Sequence, residues 1–286
     1  KNQFKNKLIQ EMQVGFAVGK KRVGVVGASG YAGFELIKIL RKHPGVEIAA
    51  ANSSTFAGKK ISSLYPNFED KEMVFTNYST EQLLDLNLDL LFLATPNGIA
   101  LNTVPKVIDS MKVVDLSADY RFSDAGLFEK VYAIKQTDSV NLPNAAYGLP
   151  ELFREKIKSA RVVANPGCYA TSMILSALPL VKKDLVDSIV FDSKSGYSGA
   201  GREKTDNAAY QEMIKDNLIA YNISKHRHVY EVRQFLPTRV SFTPHVMALF
   251  RGIMSTQHAL LKEKISGEQV QKLFEEFYAG EKFFNF

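Results

Sequence analysis

Apolar and polar positions along the first half of the chain predict strands and helices in turn. Apolar stretches rich in Val, Leu and Ala that are bounded by turn-forming residues are typical of strands buried on both faces. They occupy residues 21–27, 46–52, 88–94 and 112–117. Residues 34–42 and 99–108 repeat apolar side chains at helical spacing. This alternation predicts an α/β fold with a doubly wound parallel sheet of the Rossmann type and right-handed crossovers.

The pattern changes after residues 123–160, a less regular segment that contains an ordered loop at 141–151. Helical spacing returns, and it is followed by alternating apolar and polar residues that are typical of half-buried strands. The predicted helices are residues 169–181, 229–235 and 269–278, and the predicted strands are 187–194, 239–245 and 246–256. Together they predict a second, α+β domain with a largely antiparallel sheet.

Composition and charge narrow the class of protein. The chain has 286 residues, 45% of them hydrophobic and 23% charged, which suits one large or two ordinary globular domains. The net charge of +6 comes from dispersed residues, so nucleic acid is not an expected partner. A single cysteine excludes an intrachain disulfide, and no apolar run is long enough to span a membrane. We expect a cytoplasmic protein, or one of an organelle matrix if residues 1–20 are the remnant of a leader.

A glycine-rich turn follows the first predicted strand. Residues 27–33 read G-A-S-G-Y-A-G between a strand and a helix, the arrangement that holds a dinucleotide pyrophosphate. The G-x-x-G-x-x-G spacing differs from the plain fingerprint, and the alternative is a glycine-rich turn that binds nothing. The residues expected at the cofactor in this turn are Gly27, Ser29, Gly30, Tyr31 and Gly33.

The end of the second strand indicates which dinucleotide binds. NAD-binding folds usually place Asp or Glu there, whereas this chain has Asn52, Ser53 and Ser54 with Lys59 and Lys60 nearby. Neutral side chains and cations suit a 2′-phosphate, so the expected cofactor is NADP(H). For the two lysines, an ordinary solvated loop is the alternative.

Further residues are expected at ligands because carboxyl ends of parallel strands line the crevice of such folds. Arg121 is a candidate for an anionic substrate, with a surface ion pair to Asp119 or Asp124 as the alternative. The hydroxyl-rich loop at residues 195–202 also suits an anion, unless it is only a flexible loop. The remaining cofactor candidates are Thr95, Pro96, Ser195 and Gly196, and the remaining substrate candidates are Asn165, Ser198, Gly199 and Arg202.

Cys168 is the only cysteine, and it begins a predicted helix after an Asn-Pro-Gly turn. Helix N-termini favour the thiolate, so we expect a nucleophile with a pKa below the ordinary value of about 8.5. The alternative is a small buried hydrophobic residue. His226 and His228 are candidate bases for this thiol, and a metal site is not expected.

Taken together, these motifs resemble the N-acetyl-γ-glutamyl-phosphate reductases of arginine biosynthesis. The resemblance runs from about residue 21 to residue 280. Its carriers are residues 27–33, 115–122, 165–171, 195–202 and 226–228. It implies an NADP-dependent two-domain enzyme that forms a homo-oligomer, a dimer or a tetramer.

The resemblance also implies roles for individual residues. Cys168 matches the family's nucleophile, and His226 matches its general acid/base, with His228 close enough to compete for that role. Arg202 and residues 195–201 match the region around the acyl phosphate. We therefore expect an N-terminal extension at 1–20, an NADP-binding domain at 21–164, and a catalytic, substrate and oligomerisation domain at 165–286.

Three departures from the family pattern stand out. Ala170 occupies a position where proline is usual, and Val229-Tyr230-Glu231 occupies the place of the usual Pro-Glu. The sequence also ends at Phe286, before a C-terminal stretch that the family usually has. Two kinds of alternative remain: a related enzyme (aspartate-semialdehyde dehydrogenase or the carrier-linked aminoadipate-semialdehyde reductase), and a non-catalytic NADP-binding regulator.

Overall fold

The computed structural model describes residues 19–223 and 225–286. Two compact units emerge, and each is built from separate stretches of chain. The first contains the described chain to Tyr120 together with Thr137–Ala146 and Ala160–Ala164. The second contains Arg121–Gln136, Tyr147–Ser159 and Asn165–Phe286. The predicted domain division, with its single boundary before residue 165, stays a prediction, and the predicted extension at residues 1–20 lies almost wholly outside the described residues.

The first unit is organised on a sheet of six strands in the order β2-β1-β3-β4-β6-β5. Its strands are β1 (Lys21–Val26), β2 (Val46–Asn52), β3 (Leu90–Leu93), β4 (Lys112–Asp115), β5 (Ala146–Tyr147) and β6 (Val162–Ala164). The pairs β1–β2, β1–β3, β3–β4 and β4–β6 are all parallel. The predicted Rossmann-type sheet is therefore confirmed, and its order reverses between β1 and β3.

Helices connect these strands. They are α1 (Tyr31–Arg41), α2 (Ile61–Leu64), α3 (Thr80–Asp85) and α4 (Ile99–Val107). The core contains Val23, Val25 and Ile37, each at most 1% exposed. Burying side chains of this size contributes about 1.5–3 kcal/mol each, which explains why the apolar runs of the sequence marked the strands so clearly.

The second unit holds a sheet of four strands in the order β10-β7-β9-β8. They are β7 (Val186–Gly196), β8 (Leu218–Ala220), β9 (Arg239–Met247) and β10 (Ile253–Leu261). The β10–β7 and β8–β9 pairs are antiparallel, while the central β7–β9 pair is parallel. The prediction of a largely antiparallel sheet is confirmed, although β8 was not predicted.

The helices of the second unit are α5 (Ala125–Tyr132), α6 (Pro150–Ser159), α7 (Cys168–Lys182), α8 (Arg202–Thr205), α9 (Ala208–Ile214), α10 (Arg227–Arg233) and α11 (Gly267–Phe277). The longest is α7, which packs against the sheet through Met173 and Ile174 at 0% exposure, beside Phe191 and Phe242. This packing holds α7, which carries Cys168 as its first residue, against the sheet. Among the described residues, no helix is long and apolar enough to cross a membrane.

Candidate active site

In the first unit, the turn between β1 and α1 is closed by contacts that only glycine permits. Gly27 has a φ of +81°, and a Cβ there would lie 2.1 Å from the Ala94 carbonyl oxygen. A Cβ on Gly33 would lie 2.3 Å from the Gly27 oxygen, whereas one on Gly30 would meet only an ordinary contact at 3.5 Å. No side chain caps α1, which begins at Tyr31. A bare turn followed by an uncapped helix fits a dinucleotide pyrophosphate.

Of the cofactor candidates at the end of β2, Asn52 and Ser53 are buried and hydrogen-bonded, whereas Ser54 is exposed. The Asn52 side chain is buried, and it donates to the Tyr78 carbonyl at 2.8 Å and accepts from Thr76 Oγ1 at 2.6 Å. Ser53 Oγ donates to Ser29 Oγ at 2.7 Å, and Ser54 is exposed. Asn52 therefore orders the loop, and residues 52–60 carry hydroxyl groups and no carboxylate of their own.

Each of the two lysines that suggested a phosphate site contacts another side chain in this structure. Lys60 Nζ lies 2.9 Å from an exposed Glu72 carboxylate. Lys59 lies over the Phe56 ring, 5.6 Å from its centroid. These contacts favour the alternative of a solvated loop for Lys60.

Hydrogen bonds join the segment after β3 to the segment after β4. The Asp119 carboxylate, 0% exposed, accepts the backbone N–H groups of Gly98 at 2.8 Å and Ala100 at 3.1 Å, at the start of α4. Desolvation raises the pKa of Asp119, and these N–H groups oppose the rise. Thr95 Oγ1 is buried and has no hydrogen-bond partner among the described residues, while Pro96 is exposed. An unpartnered hydroxyl at the carboxyl end of a central strand fits a cofactor at this edge.

In the second unit, Cys168 is the first residue of α7, and it reaches solvent. Crowding of the sulfur by protein raises the pKa of the thiol. The backbone N–H of Tyr169, the Arg121 guanidinium and the N–H of Cys168 itself lower it by less. The expected pKa below the ordinary value is therefore wrong for the free protein, because desolvation outweighs the helix N-terminus.

Both candidate histidines lie around the residue next to this cysteine. The Tyr169 ring meets the His226 ring edge to face at 5.6 Å and the His228 ring at 6.1 Å. His226 is the N-cap of α10, where its Nδ1 accepts the His228 N–H at 3.2 Å. Because a neutral imidazole carries a single ring proton, this hydrogen bond places that proton on Nε2, which is therefore a donor in this arrangement.

Burial keeps both imidazoles neutral. Desolvation, with a smaller contribution from Arg227, lowers the pKa of His226 to about 4. Desolvation also lowers the pKa of His228 well below its ordinary value, with smaller contributions from His226, Arg121 and Arg227. A Cβ on Gly167 would lie 2.4 Å from His228 Nε2, so this ring packs directly on the turn before Cys168.

Arg121 lies in this same cluster. Its side chain is only 9% exposed, its Nη1 lies 3.5 Å from Glu231 Oε2, and its Nε donates to the Asn165 carbonyl at 2.8 Å. The ion pair that the structure shows for Arg121 is therefore buried and made with Glu231. Asn165 is reached through its backbone, and its own amide donates to the Pro166 carbonyl at 3.2 Å.

Residues 195–202 divide between two environments. Ser195 is 8% exposed and lies among the hydroxyls of Tyr169 and Tyr221. Gly196 packs so closely on the neighbouring segment that a Cβ there would lie 2.7 Å from the backbone nitrogen of Arg251. Farther along, Ser198 and Gly199 form a short 3-10 turn over Tyr197–Ala200, and Arg202 pairs with Asp206 at 3.0 Å. The structure thus brings Ser195 to the tyrosine beside Cys168, whereas Arg202 pairs with an acid one helical turn away on its own segment.

Several residues of this cluster were not identified from the sequence. Glu231 is 0% exposed and accepts the Gly167 N–H at 2.8 Å and the Tyr147 hydroxyl at 2.6 Å. Tyr221 shares hydroxyl contacts with Tyr169. A signal for Glu231 existed, because it lies three residues after His228, on the same side of a helix. No comparable signal marked Tyr147, which lies in the loop at 141–151.

Two family models match the chain and together cover most of it. Residues 22–160 match the semialdehyde dehydrogenase NAD binding domain. Residues 168–286 match the semialdehyde dehydrogenase dimerisation domain. Cys168 is the first residue of the second match, at the start of α7.

Similar proteins carry a more specific name. A protein of Methanosphaera stadtmanae named N-acetyl-gamma-glutamyl-phosphate reductase is 43% identical over 93% of this chain and 78% of its own length. Proteins of the same name from Methanocaldococcus jannaschii and Clostridium beijerinckii are 41% and 40% identical, each over 92% of this chain and 78% of their own length.

Solved structures show the same fold at low identity. Aspartate semialdehyde dehydrogenase II of Vibrio cholerae, complexed with ASA, superposes with a TM-score of 0.67 at 16% identity, over 91% of this chain and 80% of that one. Aspartate semialdehyde dehydrogenase of Candida albicans with NADP superposes with a TM-score of 0.65 at 18% identity, over 89% and 76%. At such identities the likeness supports the fold alone.

Proposed function

Because this chain belongs to the N-acetyl-gamma-glutamyl-phosphate reductases, a family within the semialdehyde dehydrogenases, we propose that it reduces N-acetyl-γ-glutamyl phosphate to N-acetylglutamate 5-semialdehyde. The chain is thus an oxidoreductase of arginine biosynthesis. The observation that carries the proposal is the placement of its only cysteine at the start of α7, with two neutral histidines packed around the adjacent tyrosine.

In the proposed reaction, Cys168 is the nucleophile. For this step the ring proton of the neutral His226 moves to Nδ1, which gives up the hydrogen bond from the His228 N–H. Nε2 then accepts the thiol proton as the sulfur attacks the acyl carbon, and it returns that proton to the departing phosphate. The product of this step is a thioester on Cys168. His226 is assigned this role in preference to His228, because the His228 ring packs against Gly167.

NADPH supplies the hydride that reduces the thioester carbon. The backbone N–H groups at the start of α7 stabilise the resulting oxyanion, which then expels the thiolate and releases the aldehyde. In the first unit, the turn at Gly27, Gly30 and Gly33, the Ser29 and Ser53 hydroxyls and Thr95 are the residues proposed to hold the cofactor. Ser54, Tyr31, Pro96 and the Ser195–Gly196 backbone complete the proposed set. The absence of a carboxylate after β2 supports NADP(H).

The substrate's anionic groups need cations and hydroxyls. We assign them to Arg121, Ser198, Gly199 and Arg202, with the Asn165 backbone holding Arg121 in place. Arg202 is paired with Asp206 in this structure, so substrate binding at Arg202 requires exchange of that ion pair. An exposed pair of this kind contributes only about 0.3–0.5 kcal/mol, so its exchange costs little.

The dimerisation domain indicates that the chain self-associates, and we propose a homo-oligomer, a dimer or a tetramer. A cytoplasmic location and the absence of a nucleic-acid partner stay predictions. We also keep the division into an NADP-binding domain at 21–164 and a catalytic domain at 165–286 as a proposal.

The proposed function is tested by phosphate-dependent reduction of NADP with N-acetylglutamate semialdehyde, the reverse reaction. Aspartate semialdehyde serves as the competing substrate, and Cys168→Ala as the matched variant. We expect turnover with the first substrate only, and loss of at least about 10³-fold in Cys168→Ala with NADPH binding retained.

Other outcomes separate the alternatives. Turnover with aspartate semialdehyde alone would keep the cysteine chemistry and change the substrate. A protein that binds NADPH but turns over neither aldehyde would support the non-catalytic regulator. Full activity in Cys168→Ala would exclude the thioester.

A further inference from the structure

Glu231 is a buried acid that the proposed reaction does not use directly. It lies on α10, is 0% exposed, and accepts the Gly167 N–H at 2.8 Å and the Tyr147 hydroxyl at 2.6 Å through Oε1. Its other oxygen, Oε2, has no hydrogen-bond partner among the described residues and lies 3.5 Å from Arg121 Nη1. A buried carboxylate is costly unless charge and hydrogen bonds compensate it, so this position calls for an explanation.

The partners of Glu231 act on the two ends of one short turn. Gly167 is the residue immediately before Cys168 and is the N-cap of α7. Arg121, which pairs with Glu231, donates through Nε to the Asn165 carbonyl at the beginning of the turn. One carboxylate therefore binds the end of the turn directly and its beginning through a guanidinium.

Helix α10 makes a second contact with Gly167, through His228. His228, one helical turn before Glu231, packs its ring where a Gly167 Cβ would lie, 2.4 Å from Nε2. Gly167 is thus bound at its N–H by Glu231 and covered at its Cα by His228. Because the backbone of Gly167 leads directly into Cys168, these contacts determine where α7 begins and where its first side chain points.

We propose that Glu231 is the positioning residue for Cys168, holding the turn at Gly167 and orienting the Arg121 guanidinium beside the thiol. This inference rests on the proposed role of Cys168 as the nucleophile. Glu231 touches neither substrate nor cofactor in this proposal, and its effect reaches the reaction only through the placement of the sulfur and of Arg121.

Charge provides a readout that a purely structural residue would lack. Arg121 lowers the pKa of the Cys168 thiol, and Glu231 raises it. The phenols of Tyr169 and Tyr221 also interact with the sulfur, and their raised pKa values keep them neutral at physiological pH. His226 and His228, which pack around Tyr169, are neutral there too because their pKa values are lowered. Removing the Glu231 charge while keeping its shape should therefore make the thiol more acidic and the enzyme slower.

The test compares the full-length Glu231→Gln and Glu231→Ala variants with wild type. Glutamine keeps an oxygen that can accept the Gly167 N–H, whereas alanine removes every contact. The measurements are kcat, KM for the acyl phosphate and for NADPH, and the rate of alkylation by iodoacetamide against pH. Because Cys168 is the only cysteine, alkylation reports this thiol alone.

We expect kcat to fall in the order wild type, glutamine, alanine, with the alanine variant about 10²-fold or more below wild type, since small misplacements of reacting groups cost this much. KM for NADPH should stay within about twofold. The midpoint of the alkylation profile should move to lower pH in Glu231→Gln. The control is Glu275→Gln, an exposed acid on α11 that should leave every value unchanged.

The outcomes are separable from those of the proposed function. Wild-type kcat in Glu231→Gln, or a lower kcat with an unmoved alkylation profile, would overturn the role proposed for Glu231. If Glu231→Ala fails to fold, Glu231→Gln decides alone. The wild-type protein could lack reductase activity while the alkylation profile of Glu231→Gln still differs from that of wild type. That result would overturn the proposed function and keep Glu231 as the residue that positions the thiol.

Discussion

At the scale of single residues, desolvation raises the pKa of the cysteine and lowers the pKa of both histidines. Crowding raises the pKa of Cys168 and lowers the pKa of His226 to about 4, so both groups are neutral at physiological pH. The resting pair is thus a thiol and an imidazole, not a thiolate and an imidazolium. Proton transfer between them accompanies the attack on the substrate and does not precede it.

The pKa of His226 predicts the acid limb of the pH profile. A base acts only when it is deprotonated, so kcat/KM should fall as pH drops through the pKa of His226, near 4 and not near 6.5. Arg227 is the second cause of this low pKa, so Arg227→Gln should move the acid limb to higher pH. The measurement is kcat/KM for the acyl phosphate from about pH 4 to pH 8.

The matched control is Lys225→Gln, an exposed cation just before His226 that is not among the causes of its pKa shift. An acid limb that stays in place in Arg227→Gln, or one that follows His228→Asn instead, would assign the proton transfer to another group.

At the scale of elements, sequence periodicity predicted the buried segments well and the surface segments poorly. The predicted helix at 169–181 differs from α7 by one residue at each end. By contrast, the segment at 123–160 contains α5 and α6, which the pattern did not reveal. The reason is burial: α6 has no buried residue and α5 has only Phe128, so neither helix is apolar along its length as α7 is.

The second sheet shows another limit of periodicity. Residues 239–245 and 246–256 were predicted as strands, whereas β9 runs to Met247 and β10 begins at Ile253. The turn between them uses Gly252 at a φ of +122°. Apolar residues within the turn, Leu249 and Phe250, masked it, because they continue the apolar pattern although both are exposed.

The glycine-rich turn allows stability and cofactor binding to be separated. Gly33→Ala would place a Cβ 2.3 Å from the Gly27 oxygen, so we expect a loss of about 1–3 kcal/mol in the free energy of unfolding. Gly30→Ala meets only a contact at 3.5 Å, so its stability should be near wild type while NADPH binding weakens, because the backbone can no longer approach the pyrophosphate.

Thermal unfolding and NADPH titration by fluorescence measure the two effects on the same preparations. Equal destabilisation by both substitutions would contradict the contact distances. Unchanged NADPH affinity in Gly30→Ala would contradict the placement of the pyrophosphate at this turn.

At the scale of the whole molecule, the second unit presents one face of its sheet to solvent. Paired residues of neighbouring strands share a face, and Leu260 pairs with Ser188, Val190 with His258, and Met254 with Lys194. On this face Val190 is 41% exposed, Met254 57% and Leu260 61%. Because the unit is a dimerisation domain of its family, this face is the candidate contact between copies.

Self-association should therefore respond to charge on this face. We expect the double substitution Met254→Lys and Leu260→Lys to shift the protein toward monomer, since each apolar side chain withdrawn from a contact costs about 1.5–3 kcal/mol. Light scattering after size-exclusion chromatography, over a range of concentrations, measures the mass. The control is Val140→Lys, at a side chain 75% exposed in the first unit. An unchanged mass in the double variant would place the contact elsewhere.

The sequence alone determined the features that depend on local chemistry. Buried strands, the glycine turn and the cysteine at a helix start can be read from the chain, because each needs particular residues at fixed spacing. The assignment of Cys168, His226 and His228 to one site came from motif order, and the structure places both histidines around Tyr169, the neighbour of Cys168.

The tertiary structure decided what depends on distant residues. The raised pKa of Cys168 follows from desolvation of the sulfur by surrounding protein, which a sequence does not display, and it reversed the expectation drawn from the helix N-terminus alone. Glu231 reaches Gly167 and Tyr147 across 64 and 84 positions of the chain. Hydrogen bonds over such separations leave no periodic signal, so only the folded chain shows which acid holds the turn before the cysteine.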